Sequence, residues 1–303
     1  MLSQNHLLLI IDKLFMKKIL ITGAFGQLGT SLCKTLSNES ILATGRSIVS
    51  STKYKSIELD IMNPKQVKGV IYKYNPDIII HLAAMTDVDG CEKNPETAFD
   101  VNVKATEGLI NNYNGKFIYI STDYVFDGED GPYVEDDKVN PVSVYGKTKL
   151  YGENMVKNSD ANWVILRSNI IFSYNDRTKA SFVNWVVDSL KKQQSIRVVN
   201  DQWNNPTWTN DLAKVILKII EKDAIGLYHY GGRDYMNRFE FAKMIASSFG
   251  LDGSLISPIT TSELKWLAQR PLKSGLNTKK IELDLGIEAL PIQKALDEMV
   301  SLL

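Results

Sequence analysis

Two stretches of the 303-residue chain carry residues that could do chemistry at a defined spacing. Tyr145 and Lys149 stand four apart in Tyr145-Gly146-Lys147-Thr148-Lys149, so on a helix they share one face. A lysine beside a phenol favours the phenolate and suits Tyr145 to proton transfer near neutral pH. Thirteen tyrosines and 28 lysines give about one such pair by chance, so the spacing alone decides nothing. The context is Ser121-Thr122-Asp123-Tyr124-Val125-Phe126-Asp127-Gly128. It follows an apolar strand and puts Thr122 at the strand's carboxyl end, where open α/β sheets bind ligands. A hydroxyl there can hold a carbonyl that Tyr145 protonates. The plain alternative is a polar strand-to-loop junction with an Asx turn at Asp123.

A third stretch, Thr22-Gly23-Ala24-Phe25-Gly26-Gln27-Leu28-Gly29, lies between a strand and a helix. Its glycines let the chain turn tightly and let backbone N–H groups approach a pyrophosphate at a helix N-terminus. The usual acid for ribose hydroxyls is missing about 20 residues on, where the chain reads Ala43-Thr44-Gly45-Arg46-Ser47. Arg46 and Ser47 could instead hold a 2′-phosphate, which favours NADP(H) over NAD(H). An exposed loop arginine is the plain alternative.

The elements that must position these groups alternate. Strands are expected at Lys18–Thr22, Ile41–Thr44, Ile57–Leu59, Asp77–Leu82, Lys116–Ser121 and Trp163–Arg167. Helices are expected at Gln27–Leu36, Pro64–Tyr74, Pro95–Asn112 and Val144–Lys157. That rhythm predicts an α/β fold, a Rossmann-type doubly wound parallel sheet. After Arg167 it breaks. Ser181–Lys192 reads as a helix with Val183, Val186, Val187 and Leu190 on one face. Ile196–Val199 reads as a strand, Asp211–Glu221 as a helix and Gly226–Tyr230 as a strand. The remainder reads as helical, with breaks at Gly250–Gly253, Pro271 and Pro291. The expected organisation is a dinucleotide-binding domain of residues 16–168 and about 207–230 and a smaller α/β substrate-binding domain of about 169–206 and 231–303. Residues 1–15 are read as an N-terminal extension outside the fold: Leu7–Ile11 is too short for a membrane span or a signal peptide.

Composition narrows the function classes. At 44% hydrophobic and 23% charged residues the chain is neither disordered nor fibrous. Its 35 basic and 35 acidic residues cancel and no Lys/Arg run exceeds two, so no nucleic-acid footprint is visible. Cys33 and Cys91 read as small buried hydrophobes, and three scattered histidines supply no zinc site. His81, ending an apolar run, reads as a satisfied buried histidine, and Trp185 as packing. A cytoplasmic protein with no membrane or nucleic-acid partner is expected.

Together, Thr22–Gly29, Ser121–Gly128 and Tyr145 with Lys149 resemble the extended short-chain dehydrogenase/reductases, and among them the dTDP-4-dehydrorhamnose reductase family. Supporting stretches are Ala83-Ala84-Met85-Thr86-Asp87-Val88-Asp89, Asn140–Leu150, Asp201-Gln202 with Pro206-Thr207, and Arg270-Pro271 with Ser274 and Leu276. The resemblance runs from about Lys17 to the C-terminus. It implies NADPH-dependent reduction of the C4 ketone of a dTDP-linked 4-keto-6-deoxy sugar. Tyr145 would be the general acid, Thr122 would orient the carbonyl, and Lys149 would hold the nicotinamide ribose. Gly23, Phe25, Gly26, Gln27, Leu28, Gly29, Arg46, Ser47, Asp60, Ile61, Ala83, Ala84 and Met85 would line the cofactor. Asp123, Tyr124 and Arg270 would face the nucleotide-sugar substrate, Arg270 as a phosphate contact. The protein would be a monomer or homodimer, and a Mg2+ requirement stays open.

Two departures matter. Arg46 stands where relatives often carry an acid, and Ile170 where they often carry a tryptophan; the second leaves the sugar open. Tyr124 replaces the glutamate of the related dehydratases, removing the carboxyl that helps eliminate water. The alternatives are a reductase or epimerase for another nucleotide sugar, or a non-catalytic NADP-binding subunit resembling methionine adenosyltransferase beta.

Overall fold

The structure, a computed structural model, describes residues 16–49, 53–174 and 181–303; the expected extension, residues 1–15, lies outside them. From the N-terminus the elements are β1 (Lys18–Thr22), α1 (Gln27–Thr35), β2 (Ser40–Gly45), β3 (Lys55–Glu58), α2 (Pro64–Tyr74) and β4 (Ile78–His81). There follow α3 (Val88–Lys93), α4 (Pro95–Phe99), a π-helical turn at Asp100–Lys104, α5 (Ala105–Ile110), β5 (Lys116–Thr122), α6 (Val144–Lys157) and β6 (Asn162–Ser168). The later part holds β7 (Ile171–Phe172), α7 (Phe182–Lys191), β8 (Ile196–Val199), β9 (Trp203–Asn204), β10 (Thr207–Trp208), α8 (Thr209–Glu221) and β11 (Gly226–His229). It closes with β12 (Met236–Asn237), α9 (Arg238–Ser248), β13 (Ile256–Ile259), α10 (Lys279–Leu285) and α11 (Ile292–Ser301).

Seven strands form one parallel sheet in the order β11-β6-β5-β4-β1-β2-β3. The central runs are continuously apolar because helices cover both faces. Residues alternate across β1: Ile19 and Ile21 enter one core with Leu32 of α1 and Ile216 of α8, and Leu20 enters the other with Ile71 of α2 and Phe117 of β5. Local signals set the helix ends. Asn63 caps α2 by accepting from the backbone N–H groups of Lys65 and Gln66, Pro64 opens it, and Asn75 leaves it in the left-handed region. A second core gathers Val183, Val186, Val187 and Leu190 of α7, the face read from the sequence, with Phe241 and Ile245 of α9 and Leu296 of α11. Ile281 and Leu285 of α10 return to the sheet's core.

Three expectations need correction. The helix expected over Pro95–Asn112 is interrupted by the π-helical turn, which rotates Asn102 toward the loop after β4. The C-terminal part is not simply helical. Ile256–Ile259 pairs in parallel with β8, and residues 264–278 run irregularly, bonding to distant backbone: Lys273 N–H donates to Gly128 O (2.7 Å) and Tyr133 N–H to Gly275 O (2.8 Å). Such segments carry no periodicity because their partners lie far along the chain. Trp185 is 42% exposed, since it sits on the face of α7 opposite the valines. Cys33 and Cys91 are both buried and free.

Candidate active site

A cleft of about 580 Å³ opens at the carboxyl ends of β1, β4, β5 and β6. The glycine loop forms one wall. Gly23 adopts φ +66°, and a Cβ there would stand 2.8 Å from the Ala83 backbone nitrogen, so only glycine lets the loop lie this close to the end of β4. Gly26 is the N-cap of α1 and supplies no side-chain cap, leaving the first-turn N–H groups to the cleft, the partners a pyrophosphate needs. Gln27 is held by Ser173, whose N–H and hydroxyl donate to its Oε1 (3.1 and 3.0 Å). These features fit a dinucleotide.

The opposite wall comes from β5 and α6. Ser143 caps α6 by accepting from Gly146 N–H (3.1 Å). Gly146 is required there, because a Cβ would stand 2.1 Å from Tyr124 O. That approach brings the Tyr145 ring edge-on to Tyr124, with centroids 5.5 Å apart. The Tyr145 phenol faces the Thr122 hydroxyl, which favours its ionised form. Thr122 accepts from Tyr124 N–H (3.2 Å) and donates to Asp123 Oδ1 (3.0 Å), so the expected turn is organised by the threonine. Lys149 donates to Ile120 O (2.8 Å) with its ammonium 4.0 Å from the centre of the Tyr119 ring.

Electrostatics follow from enclosure. Desolvation pushes the Tyr145 phenol well above its ordinary range; the Thr122 hydroxyl opposes this and the Asp123 charge adds to it. Lys149 is pushed down to about 7 by burial, with Glu153 opposing. The expected lowering of Tyr145 by Lys149 is therefore outweighed by loss of water around both groups. Burial lifts Asp123 to about 6 against hydrogen bonds from Ser274 and Thr122 and the Arg238 charge.

Two supporting residues, Asn102 and Glu153, went unread in the sequence. Asn102 clamps the loop after β4: its Oδ1 accepts from Met85 N–H (2.8 Å), and its amide donates to Met85 O (3.1 Å) and to Thr148 of α6 (3.0 Å). Under α6, Glu153 is wholly buried and takes two bonds from Arg167 (2.8 and 2.7 Å) and one from Ser121 (2.6 Å). His81 is satisfied at both nitrogens, by Thr22 (2.7 Å) and Thr106 (3.0 Å). Asp201 accepts from Thr261, and Asn205 Oδ1 accepts from Leu276 N–H (2.8 Å), so this polar stretch braces the C-terminal segment.

Of the residues singled out from the sequence, Gly23, Gly26, Gln27, Leu28, Gly29, Ala83, Ala84, Thr122, Asp123, Tyr124, Tyr145 and Lys149 line this one cleft. Arg46 and Asp60 line a separate groove of about 980 Å³ along β3 and α2. Phe25 packs on Gly45, Ser47 is exposed, Ile61 is half-buried against the sheet, and Met85 is held through its backbone by Asn102. Arg270 lines neither: its guanidinium bonds Asp89 (3.1 Å) and Ala268 O (3.0 Å) and stacks on Trp266 at 4.2 Å, beside another cavity. The cleft also takes Ile170, the position that departs from the relatives' tryptophan, and Asn169, Phe182 and Arg238, which carry no local motif. Ile170 has φ +39°, unusual for a β-branched residue and of the kind that clusters at functional sites.

Comparison with known proteins agrees with this geometry. The family model described as RmlD substrate binding domain matches residues 16–303. A dTDP-4-dehydrorhamnose reductase of Aggregatibacter actinomycetemcomitans is 34% identical, covering 93% of this chain and 97% of its own. Methionine adenosyltransferase 2 subunit beta of Danio rerio is 32% identical, covering 92% and 89%. Among solved structures, dTDP-4-dehydrorhamnose reductase of Bacillus anthracis in complex with NADP is 30% identical with a TM-score of 0.84, covering 95% of this chain and all of that one. With its glycine cradle, its threonine, tyrosine and lysine in one cleft, and a match spanning the whole described fold, the chain belongs to the RmlD substrate binding domain family.

Proposed function

We propose that the protein is an NADP(H)-dependent oxidoreductase that reduces the C4 ketone of dTDP-4-dehydro-L-rhamnose to dTDP-L-rhamnose, a cytoplasmic step of nucleotide-sugar and polysaccharide biosynthesis. The observation that carries the reading is the convergence of Thr122, Tyr145 and Lys149 on the cleft whose other wall is the uncapped, glycine-lined start of α1. Bound NADPH supplies hydride; the chain's part is positioning and proton transfer. In this reading Gly23, Gly26, Gln27, Leu28, Gly29, Ala83 and Ala84 hold the dinucleotide, and Arg46 its 2′-phosphate. Thr122, turning its hydroxyl proton from Asp123 Oδ1 to the substrate, holds the ketone oxygen beside the Tyr145 phenol. Held high by desolvation, that phenol keeps its proton at neutral pH and yields it to the alkoxide, a stronger base. The Lys149 ammonium then faces the new phenolate charge. Asp123 and Tyr124 face the sugar. A phosphate contact by Arg270 requires release of its bonds to Asp89 and Ala268.

Purified protein mixed with NADPH and dTDP-4-keto-L-rhamnose is expected to lose nicotinamide absorbance, and Tyr145→Phe to lower kcat by about 10²- to 10⁴-fold. No turnover despite tight NADPH binding would sink the reading. It would favour a second one, a binding subunit, which similarity to methionine adenosyltransferase 2 subunit beta supports.

A further inference from the structure

We propose that Arg238, not Arg270, is the side chain through which the cleft binds the diphosphate of its sugar nucleotide. The inference deepens the nucleotide-sugar reading and rests on it.

A diphosphate brings negative charge into a partly enclosed site and needs a cation able to form paired hydrogen bonds. Among the described residues lining the cleft only Lys149 and Arg238 are cationic. Lys149 is committed: it bonds Ile120 O beneath the Tyr145 side and stacks on Tyr119. Arg270 is committed elsewhere, to Asp89, Ala268 O and the Trp266 ring.

Arg238 is different. It is the first residue of α9, and its main chain is fixed by the Asn237–Glu240 capping box and by its N–H donating to Gln202 O (3.2 Å). Its guanidinium lies over the Phe182 ring at 5.6 Å and reaches the substrate-side wall, where its charge acts on the Tyr124 phenol and the Asp123 carboxylate. Its Nε is buried with no hydrogen-bond partner. A buried guanidinium N–H left unbonded costs free energy, so this donor is set for an acceptor that arrives with the ligand. The competing role, a counter-charge for Asp123, uses the same position and makes different predictions.

The test is calorimetric titration of the full-length, NADP+-loaded protein with dTDP, dTMP and thymidine. Wild type is compared with Arg238→Gln, Arg238→Lys and Arg270→Gln. The expected result is a loss of about 10- to 100-fold in dTDP affinity for Arg238→Gln. Thymidine and NADP+ affinities should hold, and Arg238→Lys should recover part of the loss. Arg270→Gln should keep dTDP affinity within about twofold. Unchanged dTDP binding by Arg238→Gln overturns the proposal. So does an equal loss for thymidine and dTDP, the signature of a counter-charge that only shapes the cleft. UDP and GDP serve as further probes. Tighter wild-type binding of either one, lost in Arg238→Gln, overturns the dTDP reading and supports the role of Arg238. A wild type that binds no nucleoside diphosphate overturns both.

Discussion

At the scale of single residues, Lys149 controls when the site can work. Its ammonium is the useful form, and burial brings its pKa down to about 7. Because the charged form is lost as pH rises, kcat/KM is expected to decline above about pH 7, the free-enzyme value. A pH profile measured at low substrate checks this; a flat alkaline side to pH 9 would contradict it. Tyr145 stays protonated across the same range, so the lysine sets the limb. Tyr145, Lys149 and Thr122 were legible in the sequence because each sits in a short contiguous motif. Arg238 and Phe182 were not: they meet the cleft only through the packing of α7 and α9, and nothing within a few residues of either marks them.

At the scale of elements, the site depends on how α6 and the loop after β4 are pinned. Asn102 does this from a π-helical turn, an irregularity that single-sequence periodicity reads through as ordinary helix. Asn102→Ala leaves the Met85 N–H without its partner and the Met85 C=O with only the weak Cys91 thiol donor, with an expected cost of about 1–3 kcal/mol. The KM for NADPH should rise while kcat changes little, since Ala83 and Ala84 lie on the freed loop. Urea melts and steady-state kinetics check both. On the far side of α6, Glu153→Gln strands the Arg167 charge in a dry interior, an expected loss of about 3–5 kcal/mol by urea denaturation. Replacing both residues with methionine should regain most of it, because the desolvation cost disappears with the pair. The short strand at Ile256–Ile259 escaped the sequence for a related reason. Ser257 and Pro258 break its pattern, and only the neighbouring β8 makes it a strand.

At the scale of the whole molecule, acid stability follows from the histidines. Thr22 Oγ1 accepts from the N–H groups of Leu82 and Ala83, so its proton goes to His81 Nδ1; Nε2–H then donates to Thr106, which donates to Asn102 O. The ring is thus fixed as the neutral tautomer, and burial holds its pKa at about 3, as it does for His229. The unfolded chain binds those protons from about pH 6.5 downward while the folded chain does not, so stability falls as pH drops below that value. Asp123, held at about 6, works in the opposite direction between about 6 and 4 and offsets part of the loss. The melting temperature is expected to fall between pH 7 and pH 4.5, and less steeply in His81→Gln, which removes one titrating ring. Parallel slopes for the two proteins would refute this assignment.

The strand order of the sheet has a further consequence for synthesis. β6 is flanked by β5 on one side and by β11 on the other, yet α7, β8 and α8 are made between β6 and β11. During elongation at about 5–20 residues per second, the far edge of β6 waits several seconds for its last neighbour. A nascent chain stalled in that interval exposes an apolar strand edge, a template for pairing with another chain. Prematurely terminated products of this protein are therefore expected to be clients of chaperones and proteases, whereas in the finished chain Gly226–His229 pairs with β6 and carries the sheet edge itself, its His229 N–H and Leu227 C=O bonded by Glu135 and Lys280.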